Sequence, residues 1–231
     1  MGATRTAREL ARMELTQAIK DEARRQLAVD GPQKLSLRSI SRALEMVSSS
    51  LFRYFPSRDD LLTALIIDAY NAMGQAAEDA AQGAPREAWI AACHAVRAWA
   101  KQNPHEYALI YGSPIPGYKA PRETVAAAAR VPLLLIGLLS KAWQGMRVEY
   151  GEPSPPLTPG LAQQWADVGR EVAPELPVEV LNRGGIVWSQ LFGMLSFELF
   201  GQFVGSVDPA DEFFAHAVGQ MADFVGLKSP F

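Results

Sequence analysis

The 231-residue sequence has a single cysteine, Cys93. One thiol builds neither a disulfide framework nor a cysteine-based zinc site, and it suits a reducing, cytoplasmic setting. Histidine is almost as scarce. His94, His105 and His216 are scattered, with no His-Glu-x-x-His helix and no close ligand pair, so neither a metal nor another cofactor is expected. There is no Gly-x-Ser-x-Gly elbow and no phosphate-cradling glycine loop, and Cys93 has no cation beside it in sequence to activate its sulfur. An enzyme is therefore not expected. The longest uncharged apolar stretch, Gly184–Phe197, meets Glu198 before the roughly 18–20 residues that a membrane span needs. The opening MGATRTAREL lacks the apolar region of a secretory signal. Val, Ile and Thr never alternate over strand-length runs, whereas apolar spacings of three and four recur, which predicts an all-α fold.

Net charge is −3, but it is unevenly spread. Residues 1–58 carry eleven Arg/Lys against six Asp/Glu, a balance of +5, which leaves −8 for the remainder. A basic front segment on an acidic chain points to a polyanionic partner, although a solvated mixed-charge helix has the same composition.

Helices are predicted over Ala7–Val29, Ser36–Leu44, Val47–Tyr54 and Ser57–Ala81. Asp30-Gly31-Pro32 ends the first, because Gly suits a C-terminal turn and Pro cannot continue a helix. Ser36 and Ser57 are candidate N-caps. Further helices are predicted at Arg86–Gln102, Pro104–Tyr111, Arg122–Met146, Gly160–Val172, Val178–Phe203 and Pro209–Gly226, with Pro132 kinking or dividing the third of these. Pro- and Gly-rich loops, Gly112–Pro121 and Gly151–Gly160, separate them.

Two short helices after a longer one describe a three-helix helix-turn-helix domain. The second short helix suits a DNA groove. Ser48, Ser49 and Ser50 are small hydroxyl residues that allow close backbone approach, and Arg53 can fork onto guanine. Leu51 and Phe55 share its inward face. The stretch LSLRSISRALEMVSSSLFRYFPSRDDLLTAL (Leu35–Leu65) resembles the signature segment of tetracycline-repressor (TetR) family transcriptional regulators. Ser36, Ile40, Ala43, Leu51-Phe52-Arg53-Tyr54-Phe55 and Ser57-Arg58-Asp59-Asp60-Leu61 match that pattern in order and at fixed spacing. The resemblance implies a homodimer with two DNA-reading heads and helical ligand-binding bodies. It implies groove or phosphate contacts for Ser36 and Arg38, base reading by Ser48, Ser49, Ser50 and Arg53, and phosphate anchoring by Tyr54 and Arg58. Three positions depart from the family pattern: Glu45 stands where Gly is common, Phe52 where Tyr is usual, and Val47 where a capping Ser is common. The basic start, with Arg5, Arg8 and Arg12, reads either as an arm reaching phosphates or as a solvated end.

Val96–Pro121 and Val187–Gly201 are similar to the family's body type named for a Trp-His-Gly motif. Trp188 and Gly193 fit it, and Phe192 stands at the His position. All five tryptophans lie in the body. Its aromatic content and lack of a charge cluster favour a small lipophilic or aromatic effector. The expected site lies between the Arg86–Gln102, Pro104–Tyr111, Arg122–Met146 and Val178–Phe203 helices. Trp89, His94, Trp99, Tyr107, Tyr111, Trp143, Trp188 and Phe192 are its candidate contacts, although such stripes also build ordinary cores. The last two predicted helices are apolar on more than one side. They are expected to pair two subunits through a stripe drawn from Leu191, Leu195, Leu199 and Phe213.

The expected organisation is thus a DNA-binding domain over residues 1–65 and an effector-binding and dimerisation domain over 66–231. The expected function is a cytoplasmic, homodimeric repressor that binds palindromic double-stranded DNA and is released by its effector. The alternative is a helical carrier or scavenger of lipophilic molecules with a weakened DNA-binding head.

Overall fold

The computed structural model describes residues 6–145 and 155–227. Arg5, the Met146 end of one predicted helix and part of the Gly151–Gly160 loop lie outside the described residues. The described residues form eleven α-helices and no strand. They are α1 Ala7–Asp30, α2 Leu37–Ala43, α3 Ser48–Leu51, α4 Arg58–Ala80, α5 Pro85–Gln102, α6 Pro104–Tyr111, α7 Thr124–Ala128, α8 Arg130–Gly145, α9 Pro159–Val172, α10 Val178–Leu199 and α11 Ala210–Phe224. A short 3-10 turn, Pro32–Lys34, precedes α2.

Local chemistry sets the helix ends. Thr6 caps α1 reciprocally: its hydroxyl accepts from the Glu9 N–H at 3.3 Å, and the Glu9 carboxylate accepts from the Thr6 N–H at 2.8 Å. Gly31, with φ +75°, ends α1 and donates to the Leu27 carbonyl. Ser57 and Asp60 make the same kind of reciprocal pair at the start of α4. The predicted Arg122–Met146 helix divides at Ala129 into α7 and α8. Pro132 then falls in the first turn of α8, where a missing N–H costs no helical hydrogen bond. The predicted Val178–Phe203 helix stops at Leu199, and Gly201 follows with φ +79°.

The chain divides into two compact units. The first comprises the described residues up to Ala69 together with Asn103–Val125. The second comprises Tyr70–Gln102 and the described residues from Ala126. This differs from a boundary at residue 65, because α6 and the loop after it pack with the head. Charge and hydrogen bonding explain why. Arg24 on α1 pairs with both Glu106 on α6 and Asp68 on α4, and the Thr63 and Tyr118 hydroxyls bond at 2.9 Å. Ile19, Ala23, Leu37, Ile40, Leu51, Leu61 and Leu65 form the apolar centre of this unit.

In the second unit α10 packs against α5, α8, α9 and α11. Glu198, the charge that interrupts the apolar α10, is held within the chain. The buried Arg97 guanidinium of α5 grips it with two bonds of 2.7 and 2.6 Å and also reaches Asp211 on α11 at 2.6 Å. The guanidinium lies over the Phe214 ring at 4.9 Å, and His94 meets that ring edge-on at 5.3 Å. Burial opposes ionisation of Glu198, but the Arg97 guanidinium outweighs it and holds the carboxyl below its ordinary 4.5. Arg97 likewise holds Asp211 below 3.8. Burial, with Arg97 nearby, lowers His94 below 6.5.

The exposed stripe of α10 and α11 keeps only part of the set expected from sequence. Leu191 and Leu195 are turned into the core and Leu199 is half-buried, while Phe213 is exposed. Ile186, Phe197, Phe200 and Phe224 are exposed with it. An apolar helix with two greasy sides gives no sequence signal for which side its own chain will cover.

Arg97→Ala should destabilise the fold by about 3 kcal/mol, because Glu198 loses its forked partner and keeps only Lys101 at 3.5 Å. The double change Arg97→Met with Glu198→Leu should recover most of that loss, as read by urea unfolding. Stability should also fall on acidification in two stages. Below 6.5 the unfolded His94 takes up a proton that the folded state resists. The contributions of Glu198 and Asp211 are fully present above 4.5 and 3.8 and are lost as pH falls through their depressed values. His94→Gln should remove the first stage only.

Candidate nucleic-acid interface and effector cavity

The α2–α3 turn is built on one strained residue. Glu45 has φ +53°, alone among the described non-glycine residues in being positive. The turn closes through Glu45 N–H to the Arg42 carbonyl at 3.2 Å and Met46 N–H to the Ser41 carbonyl at 2.8 Å. Ser41 and Ser48 then bond hydroxyl to hydroxyl at 3.0 Å, tying the start of α3 to α2. The Ser48 side chain therefore serves the head's own packing. Ser49 and Arg53 are exposed and Ser50 is half-buried.

A groove of about 570 Å³ runs beside α3. Ser50, Arg53 and Tyr54 line one side, with Met46 and Val47, and Arg8, Ala11, Arg12 and Leu15 of α1 line the other. The Arg12 guanidinium lies 5.9 Å from the Tyr54 ring centre. Three arginines and two hydroxyls around one groove can bind an anion such as a phosphate oxygen. Arg8 and Arg12 are residues of α1. A second groove, of about 490 Å³, gathers Ser36 with Ser39, Arg25, Lys34 and Arg42. Sequence reasoning did not single out Arg42, although it lies four residues after Arg38 and therefore on the same helical face. Arg38 is exposed and lines neither groove.

Arg58, the expected phosphate anchor, is engaged with the head's own backbone. Its guanidinium donates to the Pro32 carbonyl at 2.7 Å and the Leu35 carbonyl at 3.2 Å. It satisfies the backbone of the segment leading into α2, so its charge lies within the head's own framework.

The second unit encloses a cavity of about 180 Å³. Trp89 of α5 and Pro132, Leu135, Ile136 and Leu139 of α8 form part of its wall. Trp165 and Val168 of α9 face Leu181, Gly184, Gly185, Val187 and Trp188 of α10, and Val225 completes it. Of the eight candidate ligand contacts, only Trp89 and Trp188 line this cavity. Phe192 meets Trp188 edge-on at 6.4 Å, His94 belongs with Phe214, Trp99 is buried on α5 and Trp143 is half-buried on α8. Tyr107 and Tyr111 sit on α6 in the first unit, their ring centres 5.2 Å apart. No residue of Pro104–Tyr111 lines this cavity, and α9 contributes Trp165 and Val168 to it. The clue available in sequence was Trp165 on a strongly amphipathic segment. Cys93 is buried, and burial pushes its thiol up, away from reactivity. Among the described residues no group of three or more His, Cys, Asp or Glu is placed to hold a metal ion. No described helix is long and apolar enough to cross a membrane.

The chain matches the profile described as "Bacterial regulatory proteins, tetR family" over residues 19–65 and that described as "Tetracyclin repressor-like, C-terminal domain" over residues 89–221. The chain belongs to the TetR family. It is 34% identical over 198 residues to HTH-type transcriptional regulators of Mycobacterium tuberculosis and Mycobacterium bovis, covering 84% of this chain and 84% of each relative. The crystal structure of the protein SCO4313 is similar to it at 30% identity and a TM-score of 0.76, covering 94% of this chain and all of that one. A Rhodococcus protein of unknown function shares the fold at 21% identity and a TM-score of 0.67, covering 92% and 95% of the two chains. As a TetR-family member the chain is a DNA-binding transcriptional regulator, and its relatives are regulators, not enzymes.

Two predictions follow from the head. Arg58→Ala should cost about 1–3 kcal/mol of stability, because two carbonyls lose a charged donor, whereas Arg53→Ala should leave the melting temperature unchanged. Glu45→Gly relieves a backbone strain of about 1–3 kcal/mol, against roughly 0.5–1 kcal/mol of added entropy. The melting temperature of the Gly variant should therefore rise.

Proposed function

We propose that this TetR-family regulator is a homodimeric repressor of a palindromic operator, released by a small apolar effector held in the body cavity. The observation that carries the reading is that cavity, walled by α5, α8, α9 and α10 with apolar side chains and glycines and with no ionisable group. On DNA, Arg53, Ser49 and Ser50 face base edges, and Tyr54, Arg8 and Arg12 hold phosphate beside them. Ser36 and Arg38 approach the backbone through the start of α2, with Arg42 joining them. Ser48 and Arg58 act indirectly, by fixing α3 and the segment before α2.

The dimer forms through α10 and α11, using Ile186, Phe197, Phe200, Phe213 and Phe224. A cluster of exposed aromatic side chains on the last two helices is costly in water and is removed by isologous pairing. Effector binding favours one of two spacings of the paired heads. It acts only to the extent that it binds the two states unequally. Helices α4 and α7 each contribute residues to both units, and the long α4 is the element through which such a bias would pass.

Operator selected from genomic fragments by the purified protein tests the reading. Arg53→Ala should cost about 1–3 kcal/mol per half-site on operator and far less on scrambled duplex. Arg12→Ala should weaken both duplexes alike and lower the salt slope by about one unit. Equal losses on both duplexes for Arg53→Ala would remove it from base reading. Phe197→Asp should turn a dimer into a monomer in analytical ultracentrifugation, and a wild-type monomer at micromolar concentration would overturn the dimer. Absence of any selected operator would favour the carrier reading.

A further inference from the structure

Three features bound what the body cavity can hold. The first is volume. At about 180 Å³ it is well below the roughly 300–1,000 Å³ of sites for drug-sized ligands. It is slightly larger than the engineered cavity of about 150 Å³ that accommodates benzene. A single ring with one or two small substituents fits; three fused rings do not. The second is charge. No ionisable side chain lines the cavity, so a carboxylate or ammonium group would enter with nothing to replace its water. The third is the wall. Indole rings reach the cavity from three helices, Trp89 on α5, Trp165 on α9 and Trp188 on α10. Offset and edge-to-face contacts with such rings favour an aromatic guest over an aliphatic one of equal size.

The wall is also held in place before any ligand arrives. The Trp165 indole N–H donates to the Asn182 side-chain carbonyl at 3.0 Å. Its six-membered ring lies so close to Gly185 that a Cβ there would sit 2.7 Å from two ring carbons. A second close approach, Gly169 against Leu181, brings α9 onto α10. Glycine at 185 thus leaves room for the edge of the Trp165 six-membered ring against the α10 backbone. Trp188 is the one exposed residue of the lining, so the cavity opens on its side.

We infer that the cavity selects an uncharged, single-ring aromatic molecule, with Trp165 seated on Gly185 as the wall that sets its size limit. This rests on the reading of the cavity as the effector site. It goes beyond that reading by excluding both anionic aromatic acids and larger polycyclic molecules.

The test uses the full chain, titrated by calorimetry and tryptophan fluorescence with toluene, ethylbenzene, benzoate and phenanthrene. Toluene and ethylbenzene should bind saturably and perturb the fluorescence, and benzoate should bind more than about tenfold more weakly than toluene. Phenanthrene should not compete. Leu139→Phe should fill the cavity and remove ethylbenzene binding while operator binding and the thermal transition persist. If that variant fails to fold, Gly185→Ala serves instead: it should push the Trp165 ring inward and weaken ethylbenzene more than toluene. Benzoate or phenanthrene binding as tightly as ethylbenzene would overturn the inference, as would full ethylbenzene binding by both variants. A separate operator-release assay distinguishes the two readings. Ethylbenzene that binds selectively without releasing operator upholds the cavity's selectivity and sinks the repressor mechanism. Release by benzoate acting at the cavity does the reverse.

Discussion

A buried guanidinium needs partners for its donors, and the body of this protein is arranged around that requirement. Arg97 is 7% exposed, and a charge so placed is tolerable only when paired and hydrogen-bonded. Glu198 and Asp211 supply the oxygens and the Phe214 ring covers its face. Helix α5 and the distant consecutive pair α10 and α11 are thereby fixed in register at one point. Apolar burial between α5, α10 and α11 is non-directional and would permit sliding; the forked ion pair does not. The register it sets turns Leu191 and Leu195 inward and leaves Phe197 and Phe213 outside.

The head solves a different problem. Its α2 and α3 are too short to be stable alone, so polar side chains that would otherwise be free for a ligand serve as fasteners. Ser48 bonds Ser41, Arg58 bonds two carbonyls and Arg24 bridges α1, α4 and α6. What remains outward includes Arg38 and Arg42 of α2 and, on or beside α3, Ser49 and Arg53 with the half-buried Ser50. Glu45 holds a conformation that Gly adopts without strain, and the turn retains its hydrogen bonds nonetheless.

The cavity is a consequence of how α9 meets α10. Gly169 and Gly185 permit contact closer than side chains allow, and Trp165 lines the space that remains beside α8 and α5. The space left between them is narrow and dry in character. No ionisable side chain lines it.

Much of this was legible from sequence. Periodicity gave the helices, Gly31 and Pro132 marked boundaries, and the ordered match from Ser36 to Leu61 carried the family and the helix-turn-helix. These signals are local: they depend on spacing within a few turns of chain. The partners of Glu198, the inward use of Ser48 and Arg58, the placement of Tyr107 and Tyr111 in the head unit, and the role of α9 were not legible. Each depends on which side chains and helix faces meet in the folded chain, whether the partner is near, as Ser41 is to Ser48, or far, as Arg97 is from Glu198. An amphipathic pattern says that a face is buried, but not against what. The sequence by itself determined an all-α TetR-family regulator with a basic reading head. Only the tertiary structure decided which of its polar groups are fasteners, which apolar stripe stays exposed, and where the body leaves room for a ligand, because burial is set by long-range packing that no local spacing encodes.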